Sequence, residues 1–394
     1  MAPAAAAIAG IHEFPGRIAG GLSPLQIKAE CAAKALEDAG LTWADVDAVY
    51  DASEVGPMQG LTIAEYFGVT PRVVDTTAVG GSSQEFHAAH AARDIAASQA
   101  SVALLTYGST AHSDSRAIGT GPRPPAGPHP AYNMERPYGL TLIGNYALVA
   151  RRHMAQYGTT PEQLADVAVT TRRHATRNPQ AMAGLADIGI RNHGEITVDD
   201  VLGSRLIADP LHLLECCIVS DGGGAVVIVS PAVATGIRPP PVWILGTGEA
   251  VGYPGYGADI TTTAAVRSGT EAFGRAGVRP GEIDIAMIYD SFTITVLTIL
   301  EDLGFAKKGE GGALAASGCL AFDQPGGPAL NTDGGGLSSN HPGMRGIFLL
   351  IEATRQLRGE STAQVPGARL AVAHGNGGLL GTRHAAATIV LGRD

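Results

Sequence analysis

The sequence predicts a duplicated α/β fold, and two observations carry this prediction. The chain has 394 residues, of which 45% are hydrophobic and 16% are charged, so it can bury a large core. The two halves also carry the same succession of patterns. Ala35–Val49 (ALEDAGLTWADVDAV) and Ala272–Ala286 (AFGRAGVRPGEIDIA) share a helix end, an Ala-Gly pair, an acidic-apolar-Asp segment and the start of a strand.

The second part of each half repeats in the same order. A glycine-rich turn opens a helix at Gly80–Ser98 and again at Gly343–Leu357. Each of these helices leads to a strand with a polar-glycine tip, Thr106–Ser109 in the first half and Ala373–Asn376 in the second. Strands flanked by helices predict a sheet rich in parallel pairing in each half.

The first half divides into alternating strands and helices. Ser23 and Pro24 mark a helix N-terminus, and Gly40 marks its end. The spacing of apolar and polar residues predicts the remaining elements. These are strands at Ala5–Gly10, Asp45–Tyr50, Arg72–Ala78 and Val102–Tyr107, and a helix at Ser83–Ser98.

The middle of the chain reads as a long insertion. Ser113–Arg136 is rich in Pro, Gly and Ser, and two helices follow, at Leu140–Gln156 and Pro161–Asn178. The proline-rich Pro231–Pro241 is the best interdomain linker. We therefore expect an N-terminal half at 1–235, with a loop domain at about 109–210, and a C-terminal half at 236–394.

Charge and cysteine usage narrow the class of protein. The net charge of −10 argues against a nucleic-acid partner. The four cysteines have no metal-binding spacing, and the vicinal pair Cys216 and Cys217 has poor disulfide geometry, which favours a reduced cytoplasmic protein without a metal site. The N-terminus lacks the pattern of a signal peptide, and no run of about 18 apolar residues is present.

Asn331–Gly346 (NTDGGGLSSNHPGMRG) is the stretch most suggestive of a site. It combines a polar turn, three consecutive glycines and a His-Pro pair, and it leads directly into an apolar helix. Such a loop can direct backbone N–H groups and the His341 imidazole at a developing oxyanion. The alternative is a glycine-rich connector with a surface histidine.

Several further motifs are distributed along the chain. They are Ile196–Val201, Ile207–Cys217, Ser220–Gly222, Tyr289–Phe292, Leu303–Phe305, Asn331 with His341–Gly343, and Gln356–Glu360. Taken together, these motifs resemble the thiolase superfamily, in particular its sterol-carrier-type branch, and the resemblance covers essentially the whole chain. It implies a thiolase fold, with a duplicated αβαβα five-layer core and an inserted loop domain, a homodimer and a CoA-thioester substrate, without a permanently bound cofactor.

The cysteines that thiolases use are missing from this sequence. The position of the nucleophile falls on Ala78, or on Val79 if the register shifts by one. The positions of the second catalytic cysteine read Tyr289–Phe292 (YDSF) and Gly375–Gly378 (GNGG). Acyl transfer through a cysteine is therefore not expected. Ser82 and Ser83 remain as hydroxyls near the first position, either as helix caps or as an unconventional nucleophile.

The resemblance assigns roles to the remaining polar residues. His341 matches the histidine that holds the thioester carbonyl, and Tyr289 can act as acid or base, or can be a core residue at a sheet end. Asp290 either takes part in catalysis or holds a loop, and His374 is a further polar group at the site face. The substrate-binding or CoA-binding candidates are Ser82, Ser83, Gly377, Gly378 and Asn331.

An intact thioester site without its cysteines predicts a different bond cleavage. The sequence favours retro-aldol cleavage of a β-hydroxyacyl-CoA, as in thiolase-like CoA aldolases, which work with a small OB-fold/zinc-ribbon partner protein. The alternatives are an acyltransferase with a non-cysteine nucleophile and a non-catalytic lipid-CoA carrier. Arg72–Thr77 is the expected dimer contact. Arg151, Arg152, Arg172 and Arg173 are candidates for CoA phosphate binding or simply face solvent.

Overall fold

A ten-stranded mixed sheet organises the chain. The structure is a computed structural model, and it describes residues 4–52, 58–116, 139, 141–253 and 258–393. A separate two-stranded hairpin is formed by β5 (Leu206–Ala208) and β6 (Leu211–His212). The strands of the large sheet are β1 (Ala7–Glu13), β2 (Ala48–Asp51), β3 (Val73–Asp75), β4 (Val102–Ser109), β7 (Gly222–Val229), β8 (Val242–Gly252), β9 (Ile285–Ile288), β10 (Ala329–Leu330), β11 (Leu370–Leu379) and β12 (Arg383–Gly392).

The helices alternate with the strands in both halves. Ser23 forms the expected capping box at the first of them, and Gly40 ends it in the left-handed conformation. Their bounds are α1 (Pro24–Ala39), α2 (Gln59–Phe67), α3 (Ser83–Ala96), α4 (Leu142–Tyr157), α5 (Pro161–Ala175), α6 (Pro179–Asp187), α7 (Val198–Gly203), α8 (Pro231–Ala234), α9 (Ala265–Ala276), α10 (Thr293–Asp302), α11 (Gly311–Ala316), α12 (Gly335–Ser338) and α13 (Gly346–Arg358).

The strand order confirms the duplication. The N-terminal half-sheet has the order β3-β2-β4-β7-β1, and the C-terminal half-sheet has the equivalent order β10-β9-β11-β12-β8. The halves join where β1 pairs with β8 at Ala7–Trp243 and Ile8–Val242. Only the outer three strands of each half are parallel, and the pairings to the inner two are antiparallel. The expected predominance of parallel pairing is therefore wrong for the inner strands, because the last strand of each half, β7 or β12, runs antiparallel to the strand before it in the chain's large sheet.

The hydrophobic clusters define five layers and confirm the predicted fold class. Helices α3 and α13 form a central layer that packs against both half-sheets. Helices α1 and α2 cover the outer face of the N-terminal half-sheet. Helices α9 and α10 cover the outer face of the C-terminal half-sheet. The N-termini of the two central helices meet, because a Cβ atom on Gly346 would lie 2.8 Å from the Gly81 carbonyl oxygen.

The insertion packs on the C-terminal half. Residues of α4, α5 and α7 share one apolar cluster with α9 and α10. A buried polar group fixes this contact: His153 of α4 lies 3.0 Å from Glu301 of α10, and Lys308 lies 3.3 Å from the same carboxylate. The insertion therefore shares a core with the second half, although it follows strands of the first.

Several boundaries differ from the sequence prediction. Thr141 caps α4, which therefore begins at Leu142. The expected helix Pro161–Asn178 ends earlier, at Ala175, and a further helix, α6, follows it, with Asn178 as its cap and Pro179 at its first position. Most of the loop Ser113–Arg136, along with Leu140, lies outside the described residues. Within the described part of the chain, helices are too short or too polar to span a membrane.

Candidate active site

Tyr289 and His341 form a buried pair at the centre of the molecule. Tyr289 directly follows β9, and its hydroxyl oxygen lies 3.0 Å from Nε2 of His341. The two rings are nearly perpendicular, with centroids 5.5 Å apart. The side chains are only 4% and 3% exposed. The structure thus brings together the two residues that the sequence analysis names as the proton-transfer group and the thioester-binding histidine.

Asn331 fixes the end of β9 rather than facing the pair. Its Oδ1 accepts a hydrogen bond from the Ile288 N–H at 2.8 Å, and its Nδ2 donates to the Ile288 carbonyl at 2.8 Å. This side chain imitates a β-ladder partner and sets the direction in which Tyr289 leaves the strand. Both amide atoms of Asn331 thus bond within the fold, and its role in substrate binding stays a prediction.

Asp290 organises the glycine-rich loop. Its Oδ1 accepts the N–H of Gly336 at 2.7 Å, and its Oδ2 accepts the N–H of Leu337 at 3.2 Å. Burial raises the pKa of Asp290 to about 6, although Arg345 and these backbone donors oppose the rise. The geometry therefore supports the loop-holding alternative over a catalytic role.

Arg345 is the cation at the centre of this loop, and the sequence analysis missed it. Its guanidinium is fully buried, lies 3.3 Å from Asp290 and 2.5 Å from Asp333, and also donates to Asn340. Ser220 accepts the backbone N–H of His341 at 3.0 Å. These contacts tie the loop to the core and fix the backbone at His341.

The turn before α3 carries no free nucleophile at the expected positions. Ala78 and Val79 occupy the cysteine slot. The Ser82 hydroxyl donates to the Ala385 carbonyl at 3.1 Å. The Ser83 hydroxyl donates to the Gly80 carbonyl at 2.6 Å and accepts the Val79 N–H at 3.0 Å. Both hydroxyls close the turn, so they neither cap α3 in the usual way nor face a general base.

Glycines let this turn approach the pair and β11. A Cβ atom on Gly81 would lie 2.3 Å from the Tyr289 ring, and one on Gly377 would lie 1.9 Å from the Val79 carbonyl oxygen. Gly378 adopts a φ of +79°, which favours glycine. Gly377 and Gly378 therefore serve close backbone packing beside the site, and a ligand contact to them remains a prediction.

His374 is not part of this pair. Successive side chains of a strand alternate between faces, and His374 shares the face of Val372, away from the central layer. Its Nδ1 is bonded to Thr388 at 2.9 Å, which in turn contacts Ser268 of α9. The prediction that His374 faces the Tyr289 site is wrong, because the His374 side chain points to the outer helix layer.

Four residues that the sequence analysis did not assign to the site influence the pKa of Tyr289. Burial raises the pKa of Tyr289 well above its ordinary value, and the neighbouring Cys217, Tyr107, Tyr146 and Glu85 raise it further. Tyr146 comes from α4 of the insertion, where it shares the inward helical face with Val149, Ala150 and His153. That spacing is a sequence signal that could have identified it as an inward residue.

The pair is uncharged at rest. Burial and the positive charge of Arg345 lower the pKa of His341 to about 3, so its imidazole is neutral. Burial likewise keeps the phenol of Tyr289 protonated. A neutral imidazole and a neutral phenol in contact can pass one proton between them and a bound hydroxyl group.

The four arginines that are candidates for CoA phosphate binding each contact another side chain of the protein. Arg151 pairs with Asp209, and Arg173 pairs with Asp323. Arg172 is buried and donates to the Ser338 hydroxyl at 2.9 Å, so it supports the glycine-rich loop. Arg152 is exposed and contacts the Gln156 amide. In the described ranges, His, Cys, Asp and Glu side chains form no cluster suited to a metal ion.

Comparison with known proteins points to one superfamily. Residues 255–393 match the family model described as thiolase C-terminal domain-like. The chain is 35% identical to an acetyl-CoA acetyltransferase of Methanothermobacter thermautotrophicus, over 88% of this chain and 90% of the relative. It is 34% identical to a steroid side-chain-cleaving aldolase of Thermomonospora curvata, over 92% of each chain. The solved Ltp2-ChsH2(DUF35) aldolase superposes with a TM-score of 0.88 at 31% identity, covering 100% of this chain and 99% of that chain.

Proposed function

This chain belongs to the thiolase superfamily, and from that premise we propose that it cleaves a β-hydroxyacyl-CoA by a retro-aldol reaction. The single observation that carries the proposal is the buried Tyr289–His341 contact of 3.0 Å, in a chain whose nucleophile position holds an alanine. Two of the relatives and neighbours above are named as aldolases, which supports the same chemistry. The products are a ketone or aldehyde and a short acyl-CoA.

Tyr289 and His341 transfer the proton during the reaction. The β-hydroxyl proton passes to the Tyr289 oxygen while the phenolic proton moves to His341 Nε2. The Cα–Cβ bond breaks, its electron pair forms the enolate of the acyl-CoA, and the β-carbon becomes a carbonyl. The pair then returns the proton to Cα. Because neither group is charged at rest, proton transfer has to be coupled to cleavage of the carbon–carbon bond.

The acyltransferase alternative has one named relative in its favour, the archaeal acetyl-CoA acetyltransferase. It requires an acyl-accepting side chain near the thioester. The slot holds Ala78, and the hydroxyls of Ser82 and Ser83 are bonded to backbone atoms. Intact-mass analysis after incubation with acyl-CoA distinguishes the two: an acylated enzyme supports transfer, and an unmodified enzyme that releases a ketone supports cleavage.

Two partners belong to the proposal. The aldolase with the similar structure is named with a second component, ChsH2(DUF35), so we propose that this chain also works with a small partner protein. We further propose a homodimer through the sheet edge at β3, where an open groove of 720 Å³ lies between α2 and β3. CoA enters as part of the substrate.

Turnover of a panel of tertiary β-hydroxyacyl-CoA esters tests the reaction. The protein is expected to release ketone and short acyl-CoA, and to exchange the α-hydrogens of the product acyl-CoA in D₂O. Tyr289→Phe should lower cleavage about 10²- to 10⁴-fold, the usual contribution of an acid–base group.

Tyr50→Phe is the matched control, because it removes another buried tyrosine hydroxyl, which binds Asp94 at 2.7 Å. It should keep its activity. A wild-type protein that binds CoA thioesters and neither cleaves nor exchanges them would indicate the carrier function instead.

A further inference from the structure

The hydroxyl of Tyr107 binds the backbone of the loop that carries His341. Tyr107 lies near the end of β4, and its side chain is fully buried in the apolar cluster of the central layer. The hydroxyl donates to the Pro342 carbonyl at 2.5 Å and accepts the N–H of Met344 at 3.0 Å. One phenolic oxygen from the N-terminal half therefore joins two backbone groups directly after His341.

These two backbone groups are the ones that a γ-turn joins directly. In a γ-turn, the N–H of one residue donates to the carbonyl of the second residue before it. Met344 and Pro342 stand in this relation, and Gly343 between them has a φ of +89°, near the value of about +75° in one form of this turn. The Tyr107 hydroxyl lies between the carbonyl and the N–H, so it holds the turn open.

The turn controls His341 because Pro342 is rigid. The proline ring fixes φ at position 342, and it also restricts His341 to extended conformations. A movement of the backbone at 342–344 is therefore passed on to His341. The other side of His341 has its own anchor, since its N–H donates to the Ser220 hydroxyl at 3.0 Å.

Both anchors come from the N-terminal half-sheet, whereas Tyr289 is placed by the C-terminal half-sheet. Tyr107 lies on β4 and Ser220 precedes β7, and these two strands pair with each other. Tyr289 directly follows β9, and its N–H donates to the His374 carbonyl of β11 at 3.0 Å. The 3.0 Å contact between Tyr289 and His341 thus joins two side chains that are positioned from opposite halves.

We propose, building on the retro-aldol function, that Tyr107 is a positioning residue for the proton transfer, with Ser220 as the second anchor. The Tyr107 hydroxyl sets the width of the turn after His341. It thereby keeps Nε2 of His341 within hydrogen-bonding distance of the Tyr289 oxygen.

Loss of the Tyr107 hydroxyl changes the turn in a defined way. The Pro342 carbonyl and the Met344 N–H lose this partner inside the core, where polar groups need hydrogen bonds. A direct bond between them satisfies both groups and narrows the turn. The backbone after His341 then shifts, and the imidazole leaves its contact with Tyr289.

Nitrogen NMR of the resting protein tests this proposal without turnover. The protein is labelled with ¹⁵N-histidine, and the Nε2 resonance of His341 is the one that His341→Gln removes. Tyr289→Phe gives the position of this resonance without the phenol contact. Tyr107→Phe and Ser220→Ala should each shift the resonance toward that position, whereas a role of Tyr107 in packing alone would leave it unchanged.

Tyr50→Phe is the matched control. Tyr50 lies on β2, which pairs with β4, and it is equally buried, but its hydroxyl binds Asp94 at 2.7 Å. This variant should leave the His341 resonance and the kinetics unchanged. Tyr107→Phe should lower kcat for a cleavable ester about 10- to 10²-fold with KM within about twofold of the wild type, because a misplaced reacting group affects the transition state more than substrate binding.

The two proposals fail in different ways. An unchanged His341 resonance in Tyr107→Phe, or an unchanged kcat, overturns the positioning role and leaves retro-aldol cleavage standing. If Tyr107→Phe does not fold, an unchanged resonance in Ser220→Ala overturns the anchoring of His341 from the N-terminal half. A wild type that cleaves no ester, while Tyr107→Phe shifts the resonance, overturns the retro-aldol function and leaves the positioning of His341 in place.

Discussion

Tyr289 occupies space that only a glycine at position 81 leaves open. The missing Cβ of Gly81 would lie 2.3 Å from the ring and 2.5 Å from the Asn376 carbonyl oxygen. Neither neighbour can retreat easily, because Tyr289 is held at His341 and Asn376 lies within β11. At the scale of single residues, the position of the reactive phenol is therefore set from the opposite half of the chain.

Gly81→Ala should displace Tyr289 and lower cleavage on the order of 10²-fold, the effect of misplacing a reacting group by about 1 Å. The overpacking should also cost about 1–3 kcal/mol of unfolding free energy. Steady-state kinetics and thermal unfolding measure the two effects.

Gly274→Ala is the control, since a Cβ atom at this exposed position of α9 has no heavy atom within 4 Å. It should keep full activity and gain up to about 1 kcal/mol of stability. Retention of wild-type kinetics by Gly81→Ala would contradict the proposed position of Tyr289.

At the scale of elements, His90 links three parts of the chain. On α3, its Nδ1 lies 2.5 Å from Asp75 at the end of β3, and its Nε2 lies 3.0 Å from Glu249 of β8. Burial opposes protonation, but the hydrogen bonds to Asp75 and Glu249 outweigh it and raise the pKa of His90 to about 9. The imidazolium thus joins the central helix to both half-sheets.

This link predicts a pH dependence of stability. The pKa of His90 in the folded state exceeds its unfolded value of 6.5. The stabilisation that the charge on His90 provides is therefore full below about pH 6.5 and disappears as the pH rises through 9. The nearby His87 has a pKa lowered to about 4 by burial and stays neutral in this range.

Urea unfolding of the wild type and of His90→Gln tests this pH dependence. The free energy of unfolding of the wild type should exceed that of the variant by roughly 1–3 kcal/mol at pH 6.5, and the difference should shrink by pH 9.5. A difference that is constant over this range would show that the charge on His90 contributes nothing to stability.

At the scale of the whole molecule, the α2–β3 edge is unusually apolar. Met58 is 76% exposed and Leu61 is 69% exposed, and Tyr66 and Val74 are also among the exposed apolar side chains. In the described residues, β3 pairs with β2 alone, so its other edge is open. An apolar surface beside an open strand edge suits pairing with a second copy of the chain.

Leu61→Arg should therefore convert a dimer into a monomer at micromolar concentration, as measured by sedimentation equilibrium. Val266→Arg, at an exposed apolar position on α9, should leave the dimer intact. A wild type that sediments as a monomer, or a Leu61→Arg dimer of unchanged affinity, would rule out this interface.

Local pattern accounts for much of what could be predicted from sequence. The capped helix at Ser23, the glycine stops and the repeated order of elements are short-range features, and they yielded the duplicated fold. The same local patterns could not predict which side chains of β11 point to which face of the sheet. Both faces of that strand are buried, so its sequence shows no polar alternation that would reveal the direction of His374.

The sequence by itself determined the order of the elements, the empty cysteine positions and the candidacy of Tyr289 and His341. The tertiary structure alone decided which polar atoms remain available. It assigns the amide of Asn331 to Ile288, buries Arg345 in the loop and packs Tyr146 of the insertion against Phe292. The physical reason is that a side chain's chemistry is a local property, whereas its hydrogen-bond partners are set by contacts between segments far apart in the chain.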